Sequence, residues 1–302
     1  MNRDIYRKIV ERSKEAQAQE RSIDYLAEHL GRFLKKGERV LICFQDHEEG
    51  NLGRLMEQAV IRCEAMPVVW GPDRRWKTLL RLAFSQKVSA IIGAPLVVLG
   101  LTKLARQSAT PLSIRKVITA VYPCMQWMID GIVKGFDCEM GGCFSLRHSG
   151  VVAGFACGHS WGVHLRVDEY GVDVVDEDGN VLPDGELGEM VIYPREAPEL
   201  RYAMGDFARF AKEDCPCGSD TPRLLDMQYG KLFDPELSEL GQMLHSWTSI
   251  LDCRIAKSEY GLELELVTFP GEKLPKLPSA AKLVIRPWNP ETDEPFPYDP
   301  RS

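Results

Sequence analysis

Short apolar segments alternate with helical segments over the first 133 residues, and this alternation constrains the fold more than any other feature. The first helical segment covers residues 4–36. Buried strands are predicted at 39–44, 66–70, 88–92 and 114–120, with helical periodicity between them. Strands that alternate with helices are typical of right-handed βαβ units and a buried parallel sheet. We therefore predict an α/β fold, a parallel sheet flanked by helices.

The pattern changes near residue 137, where a glycine-rich stretch begins. Short alternating strands are predicted beyond it, at 164–167, 171–175 and 190–193, and indicate an appended β-rich subdomain. Nearer the C-terminus a helix at 235–244 and strands at 250–256 and 262–267 indicate a small α+β module, with an irregular tail from Asn289. We predict three units, covering residues 1–136, 137–234 and 235–302.

Composition excludes several classes of function. Lys and Arg number 37 against 44 Asp and Glu, a formal net charge of −7, whereas phosphate binding to nucleic acid needs a basic face. No apolar run approaches the roughly 20 residues that span a bilayer, and the charged N-terminus does not resemble a secretory signal. Nine cysteines, an odd number, fit a reducing compartment. We predict a cytoplasmic protein that binds neither nucleic acid nor membrane.

A group of cysteines and histidines has the composition of a zinc site. Cys215 and Cys217 flank a proline in a tight turn that presents two thiols. Cys157, with a histidine two or seven residues later (His159 or His164), supplies the other half of a tetrahedral Cys₃His set. The alternative is a set of reduced free cysteines on loops, since small thiols are common fillers. The spacing alone leaves both interpretations open.

A second pattern combines glycines and acids. Asp184-Gly185-Glu186-Leu187-Gly188-Glu189 leads into a strand, and Arg201-Tyr202-Ala203-Met204-Gly205-Asp206 follows it. In the simpler interpretation these are a turn, a strand and a loop with one acid. In the functional interpretation the Asp206 carboxylate holds ribose hydroxyls, as acids do in nucleotide sites.

Together with the segment from Cys215 to Arg223, these motifs resemble the phenylacetate–CoA ligase-like branch of the adenylate-forming superfamily. Its members activate a carboxylate with ATP to an acyl-AMP and usually pass the acyl group to coenzyme A. The resemblance covers roughly residues 35–234. It is most specific over 154–223, where four short motifs agree in order and spacing.

The resemblance implies roles for individual residues. Asp206 matches the acid that binds the AMP ribose. The implied ligands of a structural zinc are Cys157, His164, Cys215 and Cys217, and His164 is preferred over His159 because it matches the Gly-x-His pattern of the family.

Two further segments match the nucleotide side of the family's site. Ala120, Val121 and Tyr122 fall at the loop beside the adenine. Phe144, Arg147 and His148 fall in the motif Tyr-Gly-x-Thr-Glu, whose Thr and Glu hold nucleotide and magnesium. The implied cofactors are therefore structural zinc and AMP or ATP, and the implied partners are a small carboxylate, CoA or a nucleotide.

The departures from the family concern ATP phosphate and magnesium. The Ser/Thr/Gly-rich phosphate loop ending in Pro-Lys has no counterpart in the 302 residues, nor does the Gly-Lys segment of the adenylation lysine. His148 replaces a hard oxygen ligand that Mg²⁺ needs. The hinge motif Gly-Arg-x-Asp-Asp appears as Gly230-Lys231-Leu232-Phe233-Asp234. Because adenylation depends on stabilising these charges, we expect a divergent protein that lacks full adenylation activity on its own and keeps a remnant acyl or nucleotide pocket.

Two alternatives stay open at this point. In the first alternative, the chain is an active acyl-CoA ligase whose phosphate contacts come from a partner subunit or from unrecognised residues such as Arg147 and His148. In the second, it is a structural interaction protein that kept the fold for a homodimer surface.

Overall fold

The computed structural model of the chain describes residues 3–43, 51–108, 111–121, 124–146, 150–159, 162–228 and 235–296. The helices in these ranges are α1 (Arg3–Ser13), α2 (Ala16–Leu30), α3 (Leu52–Arg62), α4 (Trp76–Ser85), α5 (Pro95–Gln107), α6 (Gln126–Phe136) and α7 (Pro235–Ser246). The strands are β1 (Arg39–Cys43), β2 (Met66–Val69), β3 (Ala90–Gly93), β4 (Lys116–Thr119), β5 (Glu139–Ser145), β6 (Val152–Ala156), β7 (Val163–Leu165), β8 (Tyr170–Val175), β9 (Gly188–Pro194), β10 (Tyr202–Phe210), β11 (Arg223–Gln228), β12 (Ile250–Ser258), β13 (Gly261–Thr268) and β14 (Lys282–Pro287). Among the described helices, none has the length and apolar character that crossing a bilayer requires.

Eleven strands form one mixed sheet in the order β2-β1-β3-β4-β5-β6-β7-β11-β10-β9-β8. The first five strands in this order pair in parallel, as the βαβ pattern predicts. The pairs from β5–β6 onwards are antiparallel. The predicted parallel sheet is therefore only part of a larger mixed sheet. The strands after residue 137 continue that sheet because β5 pairs with β4 on one side and β6 on the other. The unit boundaries at residues 136 and 234 stay predictions.

The parallel half is covered by helices on both faces, because successive side chains in a strand point to opposite sides. Val40 and Ile42 of β1 lie in one hydrophobic cluster with residues of α2 and α3. Leu41 lies in a second cluster with residues of α4, α5 and α6. All four residues of β3 are buried. These continuous apolar strands are the reason that the sequence pattern predicts this half of the fold.

The single helix predicted over residues 4–36 is wrong, since the structure has two helices there. Lys14 and Glu15 close the end of α1 with hydrogen bonds to carbonyls three residues earlier, and Glu15 has extended backbone angles. The division lets the two helices cover different parts of the sheet. Ile9 packs in the core of the antiparallel half, whereas Leu26 and Leu30 pack on the parallel half. Tertiary packing determines where α1 ends and α2 begins, and the helical periodicity of the sequence does not show it.

Residues 235–296 form a C-terminal module of α7 and a three-stranded sheet with the order β12-β13-β14. The predicted helix and the first two strands are present. The third strand, β14, pairs in parallel with β13 and was not predicted. Its residues Leu283, Val284 and Ile285 are 38% to 43% exposed, so this edge strand has little of the alternation by which a half-buried strand is recognised.

Lys103, Asp252 and His245 are ionisable side chains that are buried where the C-terminal module meets α5 and α6. Lys103 of α5 is 6% exposed, and its Nζ donates a hydrogen bond to the Ile250 carbonyl at 2.7 Å. Burial raises the pKa of the Asp252 carboxyl to about 7, although this carboxyl accepts a hydrogen bond from the backbone N–H of Phe296. Burial, and then the charge of Lys103, lowers the pKa of His245 to about 3.

Asp252 and His245 make contributions to stability with opposite dependence on pH. Between about pH 4 and 7 the folded protein keeps a proton on Asp252 that the unfolded chain has released, so this contribution is lost as the pH rises. Between about pH 3 and 6.5 the unfolded chain protonates His245 and the folded protein does not, so that contribution is lost as the pH falls.

We predict that acidification from about pH 6.5 to about pH 4.5 lowers the free energy of unfolding of Asp252→Asn relative to wild type and raises that of His245→Gln, each by about 1 to 3 kcal/mol. Urea unfolding at the two pH values measures both effects. Identical pH responses in the two variants would contradict this assignment.

Candidate metal centre and ligand-binding residues

The four residues proposed as zinc ligands come from three segments of the antiparallel half. Cys157 directly follows β6, His164 is the central residue of β7, and Cys215 and Cys217 lie between β10 and β11. The pairing of β11 with β7 places Arg223 opposite His164, and this carries the cysteine loop to the histidine. The four potential ligand atoms all lie within 4.8 Å of one another.

The spacing of these atoms fits a tetrahedral zinc ion. The Sγ atoms of Cys157 and Cys215 are 3.6 Å apart, and Cys217 Sγ is 3.4 Å from His164 Nε2. A tetrahedron with Zn–S bonds of about 2.3 Å and Zn–N bonds of about 2.0 to 2.1 Å has S–S edges of about 3.8 Å and S–N edges of about 3.5 Å. The donor set and both edges therefore match a Cys₃His zinc site.

The surroundings of His164 orient its ring for metal binding. Its Nδ1 lies 3.2 Å from the Thr221 carbonyl oxygen and 3.1 Å from the Thr221 hydroxyl. A proton on Nδ1, donated to that carbonyl, leaves the Nε2 lone pair directed at Cys217, as in most histidine ligands of metals. His159 is exposed, with Nδ1 beside the Cys157 carbonyl, and it is not part of the four-residue group. The structure thus brings His164, and not His159, to the cysteines.

The cysteine loop has the backbone that two closely spaced thiols require. The Gly218 N–H donates to the Cys215 carbonyl at 3.0 Å, and Gly218 has a φ of 79°, which favours glycine. Burial, followed by the neighbouring Cys215 and Cys157 thiols, raises the pKa of Cys217. Because zinc binds thiolates, metal binding at this cluster releases protons.

Arg166 connects the strand of His164 to α2. It is 1% exposed, donates a hydrogen bond from Nη1 to Ser22 Oγ at 2.9 Å, and lies over the Tyr25 ring at 5.0 Å. A cavity of about 900 Å³ separates α2 from the cluster. The residues that line it include Tyr25 and His29 of α2, Phe33, and Cys157, His164 and Cys217 of the Cys/His cluster. Three members of the cluster therefore border a cavity that small molecules such as chelators can enter.

We predict that the protein, purified without chelator, contains about one zinc per chain and that Cys217→Ser contains less than about 0.2. Loss of the metal also lowers the melting temperature by about 5 to 10 °C, because structural zinc contributes folding free energy. Elemental analysis and thermal unfolding measure the two effects.

The matched control is Cys63→Ser. Cys63 is half-buried and its Sγ lies 3.3 Å from the Ala27 carbonyl oxygen, a contact that a serine hydroxyl can replace. This variant keeps its zinc. Wild-type protein with less than about 0.2 zinc per chain would contradict the assignment of the cluster to zinc.

The residues proposed for the nucleotide lie on two separate parts of the sheet. Ala120 and Val121 follow β4, and Phe144 belongs to β5, at the ends of the parallel strands where ligands bind in α/β folds. Asp206 lies on β10, four strands from β5 in the sheet order. Three more residues proposed from the motifs, Tyr122, Arg147 and His148, lie outside the described residues.

Side-chain burial limits what these residues can contact. Ala120 is fully buried, and Phe144 is 6% exposed in the core of the antiparallel half. Val121 is half-buried and has a φ of 83°, a strained conformation for a β-branched residue. Residues with strained backbone angles are enriched at functional sites. A valine at this position gives no signal in the sequence, so only the structure reveals the strain.

Asp206 lies in an irregular part of β10. The register of β10 against β9 shifts between Ala203 and Phe207, and its register against β11 shifts between Phe207 and Arg209. Gly205 has a φ of 76°. Bulges of this kind redirect a side chain away from the regular ladder and are frequent beside active sites.

Comparison with known proteins identifies the fold. No family model matches the sequence, and no curated protein matches it. A solved structure of 2-hydroxyisobutyryl-CoA ligase in the postadenylation state with 2-HIB-AMP is similar with a TM-score of 0.67 and 15% identity, over 92% of this chain and 67% of that one. The same ligase in the thioesterification state with 2-HIB-AMP and CoA has a TM-score of 0.62 and 19% identity, over 82% of this chain and 57% of that one. A benzoate CoA ligase from Burkholderia xenovorans LB400 has a TM-score of 0.55 and 13% identity, over 88% of this chain and 61% of that one.

The chain therefore has the fold of the adenylate-forming acyl-CoA ligases. It spans 57% to 67% of the length of these solved structures. This agrees with the superfamily that the sequence motifs resemble, although at such low identity the likeness concerns the fold alone.

Proposed function

We propose that this chain is a divergent relative of the AMP-forming acyl-CoA ligases that binds an adenylate or acyl ligand and does not complete adenylation by itself. The observation that carries the proposal is the fold shared with a ligase solved together with an acyl-AMP. Within the superfamily, the motifs around Gly185, Asp206 and Cys215 favour the phenylacetate–CoA ligase-like branch. Nine free cysteines favour a cytoplasmic location.

The ligand site is proposed at the carboxyl ends of β4 and β5. The strained Val121 lies at one of these ends, and ligands of α/β sheets bind outside them. Asp206, in the irregular part of β10, is proposed to bind the ribose hydroxyls, since a carboxylate accepts hydrogen bonds from both. A small carboxylate or the acyl group of an acyl-AMP would occupy the rest of the site.

The proposed loss of full adenylation activity rests on replaced residues. In the motif that supplies an acid for magnesium, this sequence has His148. The hinge motif has Lys231 in place of arginine and keeps one acid, Asp234. Adenylation transfers the AMP group of ATP to a carboxylate and releases pyrophosphate. The charge that develops on the phosphates must be neutralised, chiefly by Mg²⁺, so removal of a magnesium ligand lowers the rate by orders of magnitude.

Titration calorimetry with AMP, a non-hydrolysable acyl-AMP analogue and ATP, each with and without Mg²⁺, tests the proposal. We expect AMP and the analogue to bind without magnesium, and no carboxylate-dependent release of pyrophosphate from ATP. Magnesium-dependent ATP binding with pyrophosphate release would instead show an active ligase. A failure of all three nucleotides to bind would favour a structural interaction protein.

We predict that Asp206→Ala weakens AMP binding by about 10- to 100-fold, because the variant loses hydrogen bonds to a charged acceptor. Asp178→Ala, which removes an acid from the exposed turn between β8 and Val181, is the control and binds AMP like wild type. Equal AMP affinity in wild type and Asp206→Ala would exclude Asp206 from the site.

A further inference from the structure

The last described residues cross between two parts of the molecule. We name residues 288–296 the C-terminal strap. It leaves the C-terminal module at β14, and the carbonyl of Asp293 accepts a hydrogen bond from the Trp76 N–H at 2.9 Å, at the start of α4. It then returns to the module, where the Phe296 N–H donates to Asp252 Oδ2 at 2.9 Å.

The strap supplies a hydrogen-bond acceptor to the N-terminus of α4, where the N-cap residue Arg75 makes no side-chain capping hydrogen bond. The first N–H groups of a helix have no acceptor within the helix, and the Asp293 carbonyl provides one for Trp76. Glu291 forms ion pairs with Lys77 in the first turn and with Arg75 just before it. An acid at this end of a helix also interacts favourably with the helix dipole.

Asp293 keeps the strap in this conformation. It is 5% exposed, and its carboxylate accepts hydrogen bonds from Arg286 Nη1 and from the Asn289 N–H, the latter at 2.7 Å. Both partners belong to β14 or to the first residues of the strap. The side chain therefore folds the strap back on itself and presents the Asp293 carbonyl to Trp76.

The surface beneath the strap is apolar. Leu251 and Val267 of the C-terminal module lie in the same hydrophobic cluster as Trp70 and Trp76, all 1% exposed. Two residues of the strap, Trp288 and Phe296, pack against that cluster. This part of the contact between the module and α4 is apolar, as in a hydrophobic core, and Lys103, Asp252 and His245 are buried ionisable groups beside it.

We propose that the C-terminal strap is a latch that holds the C-terminal module in one fixed arrangement against α4 and α5. The module then opens only together with global unfolding and does not rotate during ligand binding. This inference goes beyond the proposed function, because it holds whether or not a nucleotide binds.

The amides of Trp76 and Phe296 report on the latch. The Trp76 N–H donates to the Asp293 carbonyl of the strap, and the N–H of Phe296 in the strap donates to Asp252 of the module, so both bonds break when the strap detaches. In hydrogen exchange we expect both to be protected to within about tenfold of Ile92 in the buried strand β3, as for groups that exchange through global opening. Addition of AMP or of CoA leaves both unchanged. Exchange more than about tenfold faster than at Ile92, or a rise of about tenfold on adding AMP or CoA, would overturn the proposal.

Asp293→Ala tests the mechanism of the latch. We expect exchange at Trp76 and Phe296 to accelerate by about tenfold or more, while Leu79 of α4, whose N–H donates to the carbonyl of Arg75 just before the helix, changes little. Asp178→Ala is again the control and leaves all three amides unchanged. If Asp293→Ala does not fold, the surface variant Glu291→Gln replaces it as the test. We expect that variant to accelerate hydrogen exchange at Trp76 and Phe296 by about threefold. Unaltered exchange at Trp76 and Phe296 in whichever variant folds would overturn the proposal.

Discussion

The junction between β7 and β11 is the contact on which the antiparallel half of the molecule depends. The described strands are joined there by two residue pairs, Val163 with Leu224 and His164 with Arg223. Beyond this short pairing the sheet continues to β10, β9 and β8. The Cys/His cluster lies at the same place and draws its members from both sides of the junction. A zinc ion bound there would cross-link three segments where the β6–β7 and β7–β11 pairings have only two residue pairs each, so its role would be to hold the sheet together.

The register of the sheet separates that cluster from the proposed ligand site. Ala156 pairs with Gly142 in β5, so Cys157 lies toward the amino-terminal half of this parallel strand. Val121 lies at the opposite, carboxyl end of the adjacent strand β4. A metal bound at the cluster would therefore stabilise the fold and would lie away from the proposed nucleotide site. Loss of the cluster would reach the proposed ligand site only indirectly, because β11 pairs with β10, the strand that carries Asp206.

The sequence predicts the features that depend on local pattern. The buried strands β1, β3 and β4 have continuous apolar residues, and Cys157, His164, Cys215 and Cys217 are recognisable by type and by their match to family motifs. The features that were missed depend on contacts distant in the chain. The break before α2 follows from packing on two different parts of the sheet, and β14 is a strand only because β13 pairs with it. The strain at Val121 and the return of the strap to α4 also have no local signal.

A latched C-terminal module and the replacement at His148 favour the same kind of function, in which the protein keeps a ligand-binding fold in one state. The proposed ligand site requires an intact antiparallel half, because Asp206 lies on β10, and that half depends in turn on the β7–β11 junction. X-ray absorption at the zinc edge tests that junction most directly. The account predicts a first shell of three sulfur atoms at about 2.3 Å and one nitrogen at about 2.0 to 2.1 Å, lost in Cys217→Ser. A shell of oxygen and nitrogen alone, or no bound zinc, would contradict it.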